Sequence, residues 1–336
     1  MKFNYKWKLS DLDKIESNGL KVFSCFACGG GSSMGYKMNG FDVIGINEID
    51  KRMIEVYNAN FSPKYVYKES IETFKNRNDL PEELYNLDIL DGSPPCSTFS
   101  ISGSREKAWG KEKVFREGQA KQVLSDLFFD YIDLAKKLQP KVILAENVKG
   151  MLQGNAKGYV KMILDKFKDA GYKVQLFLLN SATMGVPQRR ERIFFIGLRN
   201  DIDLQKLKLE FNEKPILYKD IEEYGYENKI IPGDVKYWKI CKAGKSISTV
   251  HPKGHRFNAI KLSQYKVVNT IANSSNLYHY KEERSLNNKE LDSVGSFPLD
   301  YKFLKNKHQY LIGMSVPPLM IQKISEQIYK QWLSKI

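Results

Sequence analysis

Up to about residue 197 the sequence alternates short apolar runs with amphipathic segments, and this alternation constrains the fold more than any other feature. The apolar runs have the length and composition of buried strands, and the segments between them space their apolar residues as helices do. Predicted strands cover residues 21–27, 41–46, 87–90, 142–145, 174–179 and 193–197, and predicted helices cover 53–60, 123–138 and 160–170. Strands that alternate with helices pair in parallel, so we expect an α/β fold, a mostly parallel sheet with helices on both faces.

A glycine-rich turn at residues 28–35 follows the first predicted strand and indicates a nucleotide-type cofactor site. Its glycines allow the backbone to approach a ligand closely, and Glu48, at the end of the second strand, can accept hydrogen bonds from ribose hydroxyls. A strict Gly-x-Gly-x-x-Gly pattern is absent, so a pyrophosphate is not required. The turn therefore fits an adenosyl cofactor without phosphates as well as a dinucleotide.

The third predicted strand runs into Gly-Ser-Pro-Pro-Cys at residues 92–96, which holds one thiol on a stiff, extended turn. Proline fixes φ and keeps the residue before it out of helical space. Most free cysteines are buried and inert, but the strand-end position favours Cys96 as a nucleophile. Glu146 ends the next predicted strand, and because the carboxyl ends of parallel strands meet at one edge, one cleft can collect Glu48, Cys96 and Glu146.

These groups suit the addition of a thiolate to an electron-poor ring. The thiolate is the reactive form of cysteine, a nearby Glu146 can hydrogen-bond a ring nitrogen, and Arg192 can hold a ring carbonyl with paired donors. Taken singly, Glu146 could instead cap the next turn and Arg192 could pair with Glu191. A cysteine hydrolase would need a histidine partner, and all four histidines lie outside the predicted sheet region.

The net charge of +14 and the isoelectric point near 9.3 favour a polyanionic partner, although lysine-rich usage would also fit an AT-rich genome. Residues 101–120 lack apolar periodicity and form a basic loop next to the candidate nucleophile, either a lid that closes on a polyanion or a disordered surface loop. From about residue 200 the alternation stops, and residues 236–276 hold only short apolar pieces between basic and polar turns, a candidate nucleic-acid face. A last amphipathic helix is predicted over 320–332.

No apolar run approaches the length of a membrane span, and the first twelve residues lack a signal-peptide pattern, so we expect a cytoplasmic protein. Cys25 and Cys28 have the spacing of half a zinc site, but the chain offers no second close pair, so no metal is expected.

The motifs, in their order along nearly the whole chain, resemble those of the cytosine-5 DNA methyltransferases. The most specific match is residues 92–96 followed by Phe99 and Ser100. The other matching motifs are Phe26-Ala27, Gly30-Gly31 with Gly35, Glu48-Ile49-Asp50, Glu146-Asn147-Val148, Gln188-x-Arg190-x-Arg192, Thr270-Ile271, Arg284-x-Leu286 with Glu290, Phe297-Pro298, and Gly313-Met314-Ser315-Val316-Pro317. The chain departs from the family where Cys28 replaces a glycine, Ser70 an aspartate and Met314 an asparagine, all on the cofactor side.

The resemblance implies a Rossmann-like S-adenosylmethionine-dependent methyltransferase sheet that acts on a flipped-out cytosine in double-stranded DNA. It implies that Cys96 adds to ring C6, Glu146 engages N3 and the exocyclic amine, and Arg192 holds O2, with Arg190 as a further catalytic candidate. The cofactor candidates are Phe26, Ala27, Gly30, Gly31, Gly35, Glu48, Ile49, Ser70, Ile71, Ser93, Leu127 and Ser315. The candidates for DNA contact are Ser100, Arg105, Lys107, Lys111, Lys113, Arg116 and Thr270.

The resemblance also implies two domains and a set of partners. Residues 1–199 and 308–336 would form the large catalytic domain, and residues 200–307 a smaller, irregular target-recognition domain that reads the major groove. A cognate restriction endonuclease is a further candidate partner, and we expect a monomer that associates with the nucleoid.

Two close alternatives stay open at this point. An RNA (tRNA) cytosine-5 methyltransferase could use the same scaffold, and a catalytically weak, methyltransferase-like DNA-binding protein would fit Ser70 and Met314. An amino-methyltransferase is disfavoured because those enzymes carry an aromatic residue after Pro-Pro where this chain has Cys96.

Overall fold

The computed structural model describes residues 3–95, 127–153, 156–224, 228–272 and 275–336, and the backbone of 112–113 and 122–123. The helices in chain order are α1 Gly31–Lys37, α2 Lys51–Asn60, α3 Ile71–Lys75, α4 Leu127–Leu138, α5 Ala156–Asp169, α6 Val235–Ile240, α7 Asn288–Gly295, α8 His308–Met314 and α9 Pro318–Gln331. The strands are β1 Lys21–Cys25, β2 Asp42–Asn47, β3 Tyr65–Tyr67, β4 Ile89–Gly92, β5 Glu112–Lys113, β6 Gln122–Val123, β7 Val142–Val148, β8 Tyr172–Asn180, β9 Gln188–Arg189, β10 Glu191–Arg199, β11 Asn228–Lys229, β12 Lys245–Ser246, β13 Ala259–Lys261, β14 Val268–Asn269, β15 Asn276–Tyr278 and β16 Arg284–Ser285.

Seven strands form one large sheet in the order β3-β2-β1-β4-β7-β10-β8. The first five of these run parallel to one another, and β10 runs antiparallel to β7. The predicted α/β fold with a mostly parallel sheet is therefore confirmed. The strands β1, β4 and β7 are almost entirely buried, which explains why they read as continuous apolar runs in the sequence.

Several predicted boundaries were wrong, and sheet pairing explains two of them. Strand β7 continues to Val148 instead of ending at residue 145, because the antiparallel partner β10 pairs with it from Arg192↔Val148 to Leu198↔Val142. Helix α4 begins at Leu127 rather than at residue 123, because Gln122–Val123 pairs with Glu112–Lys113 in a two-stranded ribbon.

Helix α4 packs its apolar face on the centre of the large sheet. Leu127, Phe128 and Tyr131 share one hydrophobic core with residues of β1, β4 and β7. The Tyr131 hydroxyl donates to the carbonyl oxygens of Leu90 and Leu144, at 2.8 and 3.0 Å, and so joins β4 to β7. This buried tyrosine holds the two strands together beside the turn that leads to Cys96.

The smaller sheet contains five strands of two or three residues in the order β11-β16-β15-β13-β12. Its core includes Trp238, Ile247 and Tyr278. The fully buried Asp234 accepts from the Tyr278 hydroxyl at 2.6 Å and pairs with Arg256 at 2.9 Å. Polar anchors therefore supplement a core that such short strands could not build alone.

The chain divides into two compact units, each made of several segments. The large-sheet unit comprises Glu16–Leu179, Glu191–Leu209 and Ile324–Ile336. The small-sheet unit comprises Met1–Ile15, Asn180–Arg190 and Glu210–Lys323. This grouping differs from the predicted domains at residues 1–15, 180–190, 200–209 and 308–323, and the pairing of β9 with β14 lies within the small-sheet unit.

In the described ranges, no helix combines the length and apolar character that crossing a membrane requires.

Gly92 offers a test of the packing between α4 and β4. A Cβ at Gly92 would lie 2.5 Å from the Tyr131 ring, which hydrogen bonds hold in place. Gly92→Ala should therefore lower the free energy of unfolding by about 1–3 kcal/mol, measured by urea denaturation. Gly158→Ala is the matched control, since a Cβ there meets no atom within 4 Å, and alanine in helix α5 should add about 0.5–1 kcal/mol. Equal stability of the two variants would contradict this account.

Candidate functional site

The turn that follows β4 is braced by a side chain from β7. Pro94 is buried, and its carbonyl oxygen accepts a hydrogen bond of 3.0 Å from Asn147 Nδ2. The side-chain oxygen of Asn147 in turn accepts from the backbone N–H of Val148 at 2.8 Å. Both polar atoms of the buried Asn147 side chain therefore form hydrogen bonds. The backbone at Pro94, two residues before Cys96, is held in place as a result.

Several predicted site residues lie outside the described part of the chain. They are Cys96, Ser100, Arg105, Lys107, Lys111 and Arg116, and of Lys113 only the backbone is described, in β5. The described structure therefore reaches Pro95, the residue directly before the candidate nucleophile.

Glu146 and Arg192 form an ion pair on neighbouring strands. The register of β7 and β10 places Arg192 opposite Val148, and Arg192 Nε lies 2.8 Å from Glu146 Oε1. Burial lowers the pKa of the Arg192 guanidinium, and the neighbouring carboxylate opposes that shift. A second donor, Nη1, bonds the carbonyl oxygen of Glu191. The pair therefore presents a fixed carboxylate beside a fixed guanidinium.

Arg190 forms its side-chain hydrogen bonds within the small-sheet unit. Its side chain is buried, and its two terminal nitrogens donate to the carbonyl oxygens of Ile271 and Gly313, at 2.9 and 3.0 Å, within the small-sheet unit. Thr270 belongs to the same unit and donates to the carbonyl oxygen of Arg189. These contacts give Arg190 a structural role within the small-sheet unit.

The glycine-rich turn has a strained backbone. Phe26 and Cys28 have φ values of 54° and 47°, in the left-handed region that residues other than glycine rarely adopt, and Gly30 has φ 80°. Cys28 therefore occupies a conformation suited to glycine. Its N–H donates to Glu48 Oε2 at 2.9 Å, which binds the turn to the end of β2.

The Glu48 carboxylate is held at both oxygens by backbone N–H groups. Its other oxygen, Oε1, accepts from the N–H of Asp50 at 2.8 Å. Burial raises the pKa of Glu48, although the amides of Asp50 and Cys28 oppose the shift. Each oxygen keeps acceptor capacity beyond these bonds, so the residues present fit the ribose of an adenosyl cofactor.

The structure gathers only some of the predicted cofactor residues. Phe26, Ala27, Gly30 and Glu48 lie together at the ends of β1 and β2, next to Ile49, and Gly31 and Gly35 lie in α1. Ser93 is half-buried at the end of β4. By contrast, Ile71 and Leu127 are core residues, and the Ser70 hydroxyl caps α3 by accepting from the Thr73 N–H. Ser315 lies in the small-sheet unit, where its hydroxyl donates to the Leu311 carbonyl oxygen.

Asp91 is a buried carboxylate that the sequence analysis missed. It lies on β4, is 1% exposed, and accepts from Ser24 Oγ at 2.7 Å and from the Tyr36 hydroxyl at 3.2 Å. Burial raises the pKa of Asp91 to about 7, and the charge of Glu146 adds to the rise. The available signal was an acidic residue inside a strand that is otherwise apolar.

No cluster of three or more His, Cys, Asp or Glu side chains that could hold a metal ion occurs within the described residues.

Comparison with known proteins adds independent information. Residues 20–330 match the family described as C-5 cytosine-specific DNA methylase. The type II methyltransferase M.FnuDI of Fusobacterium nucleatum is 29% identical over 92% of this chain and 94% of its own length. M.DdeI of Desulfomicrobium norvegicum, also a type II methyltransferase, is 30% identical over 92% of this chain and 88% of its own. A variant of DNMT2 from Spodoptera frugiperda, at 18% identity, superposes with a TM-score of 0.65 over 93% of this chain and all of its own, which shows a common fold.

Asp91→Asn tests the electrostatics of the site. A pKa raised from 3.8 to about 7 means that the folded state disfavours the charged form, so stability is full below pH 4 and falls as the pH rises through 7. Between pH 4 and pH 8 the wild type should lose about 4 kcal/mol relative to Asp91→Asn, which cannot ionise there. Urea denaturation across this range measures the difference, and parallel curves for the two proteins would contradict the account.

Proposed function

The chain belongs to the C-5 cytosine-specific DNA methylase family, and we propose that it methylates C5 of a cytosine in double-stranded DNA through a covalent adduct with Cys96. The family is the one that the sequence motifs predict. The observation that carries the proposal is the Glu146–Arg192 pair, fixed on β7 and β10 next to the turn that leads to Cys96. A cytosine ring offers both an acceptor and donors along one edge, which suits a carboxylate and a guanidinium held side by side.

S-Adenosylmethionine would supply an electrophilic methyl group. Glu48 would hold its ribose hydroxyls, and the turn from Phe26 to Gly30 would line the site beside it. The departures at Cys28 and Ser70 favour a cofactor affinity below that of relatives with the usual residues. Cys28 adopts a strained φ, and the Ser70 hydroxyl is already engaged in capping α3.

In the proposed reaction, Cys96, Glu146 and Arg192 would each have a separate role. The Cys96 thiolate adds to C6 of the ring, which forms the S–C6 bond and moves the C5–C6 electron pair toward C5. Protonated Glu146 donates a hydrogen bond to N3 and so stabilises the resulting negative charge, and Arg192 holds the O2 oxygen. C5 then accepts the methyl group and loses its proton to solvent, and the electrons of that C–H bond expel the thiolate from C6.

Double-stranded DNA is the substrate that the chain's charge and relatives favour. The net charge of +14 suits a polyanion, and two full-length relatives are type II methyltransferases, which favours a cognate restriction endonuclease as partner. Residues 200–307 would read the target sequence, and the protein would act as a monomer on DNA in the cytoplasm. The RNA methyltransferase and the catalytically weak DNA-binding protein predict other outcomes in the experiments below.

Asn147→Ala should lower kcat by about 10²-fold, because the Pro94 carbonyl would lose its donor and the turn before Cys96 would shift. Steady-state methylation of duplex DNA with tritiated cofactor measures the change. Asn86→Ala is the control, since the side chain of exposed Asn86 donates to the carbonyl oxygen of nearby Glu82 and its loss should leave activity unchanged. Wild-type kcat in Asn147→Ala would show that the brace is dispensable.

Duplex DNA that carries 5-fluorocytosine should trap the adduct. Fluorine at C5 cannot leave as a proton does, so in the presence of S-adenosylmethionine the enzyme stays bound through the S–C6 bond. A band shift on a denaturing gel measures trapping, which Cys96→Ala should abolish and Cys241→Ala, at a buried thiol of the small-sheet unit, should keep. Formation of the adduct by Cys96→Ala would show that Cys96 is not the nucleophile. Trapping by fluorinated tRNA but not by DNA would favour the RNA enzyme.

A further inference from the structure

Asp91 joins three elements at the centre of the large sheet. It lies on β4, five residues before Cys96, and receives the Ser24 hydroxyl from β1. From helix α1 it receives the Tyr36 hydroxyl. Helix α1 begins at Gly31, directly after the glycine-rich turn, so one carboxylate connects the helix behind that turn to the strand that leads to the candidate nucleophile.

The surroundings of Asp91 disfavour the charged form of its carboxylate. Among the residues that the structure describes, the ionisable side chains that face Asp91 from the neighbouring elements are Cys25 on β1, Tyr36 on α1, Tyr57 on α2, Tyr131 on α4 and Glu146 on β7. Each of these five is neutral or negative, so none of them offsets a negative charge at Asp91. An apolar side chain would fill the same space without that cost.

A purely structural role does not explain why a buried carboxylate stands at this position of β4. The same segment carries a second low-exposure carboxylate, Asp88, at the opposite end of β4, and that one has a cation, Lys141, at 2.8 Å. Asp88 also accepts from the N–H of Lys21 at 2.7 Å. The two residues differ in that Asp91 lies at the carboxyl edge, where the cofactor turn and the turn to Cys96 begin.

We propose that Asp91 is a positioning residue for methyl transfer, whose hydrogen bonds hold helix α1 against strand β4 and so set the cofactor turn relative to the turn that carries Cys96. The inference rests on the proposed function, because it assigns Asp91 a part in that reaction. Asp91 touches neither substrate nor cofactor in this account and acts through the elements it joins. Ionisation strengthens the connection, because a carboxylate accepts hydrogen bonds more strongly than a neutral acid.

Three variants remove the hydrogen bonds between Asp91 and its neighbours to different extents. Asp91→Ala leaves two hydroxyls without their acceptor, Asp91→Asn keeps one acceptor oxygen, and Tyr36→Phe removes a single donor from α1. Asp88→Asn is the matched control for loss of a low-exposure carboxylate on the same segment. The readouts are the Kd for S-adenosylmethionine by isothermal titration, kcat and KM with duplex DNA, and the urea midpoint of each variant.

Asp91→Ala should weaken cofactor binding by roughly tenfold or more and lower kcat by a similar factor, with KM for DNA unchanged. Asp91→Asn should recover most of the affinity, and Tyr36→Phe should change both constants in the same direction by a smaller factor. In the wild type, cofactor affinity should rise between pH 6 and pH 8 as Asp91 ionises, and in Asp91→Asn this rise should disappear. Asp88→Asn should stay within about twofold of the wild type in both constants.

The results separate this inference from the proposed function. If the wild type binds S-adenosylmethionine and methylates DNA while the Asp91 variants match Asp88→Asn in Kd and kcat at equal stability, Asp91 only supports the fold and the inference is overturned. Asp91→Asn and Tyr36→Phe decide the question even if Asp91→Ala does not fold. A wild type that neither binds the cofactor nor methylates DNA would overturn the proposed function as well.

Discussion

The ion pair between Glu146 and Arg192 is the interaction on which the candidate site depends. Burial disfavours the charged form of both partners, and the antiparallel register of β7 and β10 brings the two opposite charges to 2.8 Å. Successive side chains on a strand point to opposite faces, so the next residue, Asn147, can brace the Pro94 carbonyl while Glu146 pairs with the arginine. Two neighbouring residues of β7 therefore fix the proposed substrate-binding pair and the turn that leads to Cys96.

On the proposed cofactor side, the structure keeps a strained backbone and a buried carboxylate, and both help to define the geometry. Phe26 and Cys28 keep left-handed φ values that hydrogen bonds to the end of β2 maintain, and Asp91 remains in a core where its charge is disfavoured. Such features lower stability, and they cluster at the edge of the sheet where the site lies. Asp91 hydrogen-bonds β1 and α1 to β4, the strand that leads to the turn before Cys96.

The sequence predicts the large sheet well because buried parallel strands leave continuous apolar runs. It misses β3, which has only three residues, and the short strands of the smaller sheet, whose pairing depends on contacts distant in sequence. Arg190 and Arg192 are equivalent by spacing, and only the register of β10 shows which guanidinium meets Glu146. Asp91 escapes notice because its hydroxyl partners, on β1 and α1, are separated from it by more than fifty residues.

Bisulfite sequencing of DNA from a host that expresses the gene tests the central claim most directly, because it reports the modified base and its sequence context together. The account predicts that cytosines in one recognition sequence resist conversion in cells that carry the wild-type gene. It predicts complete conversion in cells that carry Cys96→Ala. Complete conversion of DNA cytosines in both strains, with protected cytosines in tRNA or in neither nucleic acid, would contradict the assignment of a DNA cytosine-5 methyltransferase.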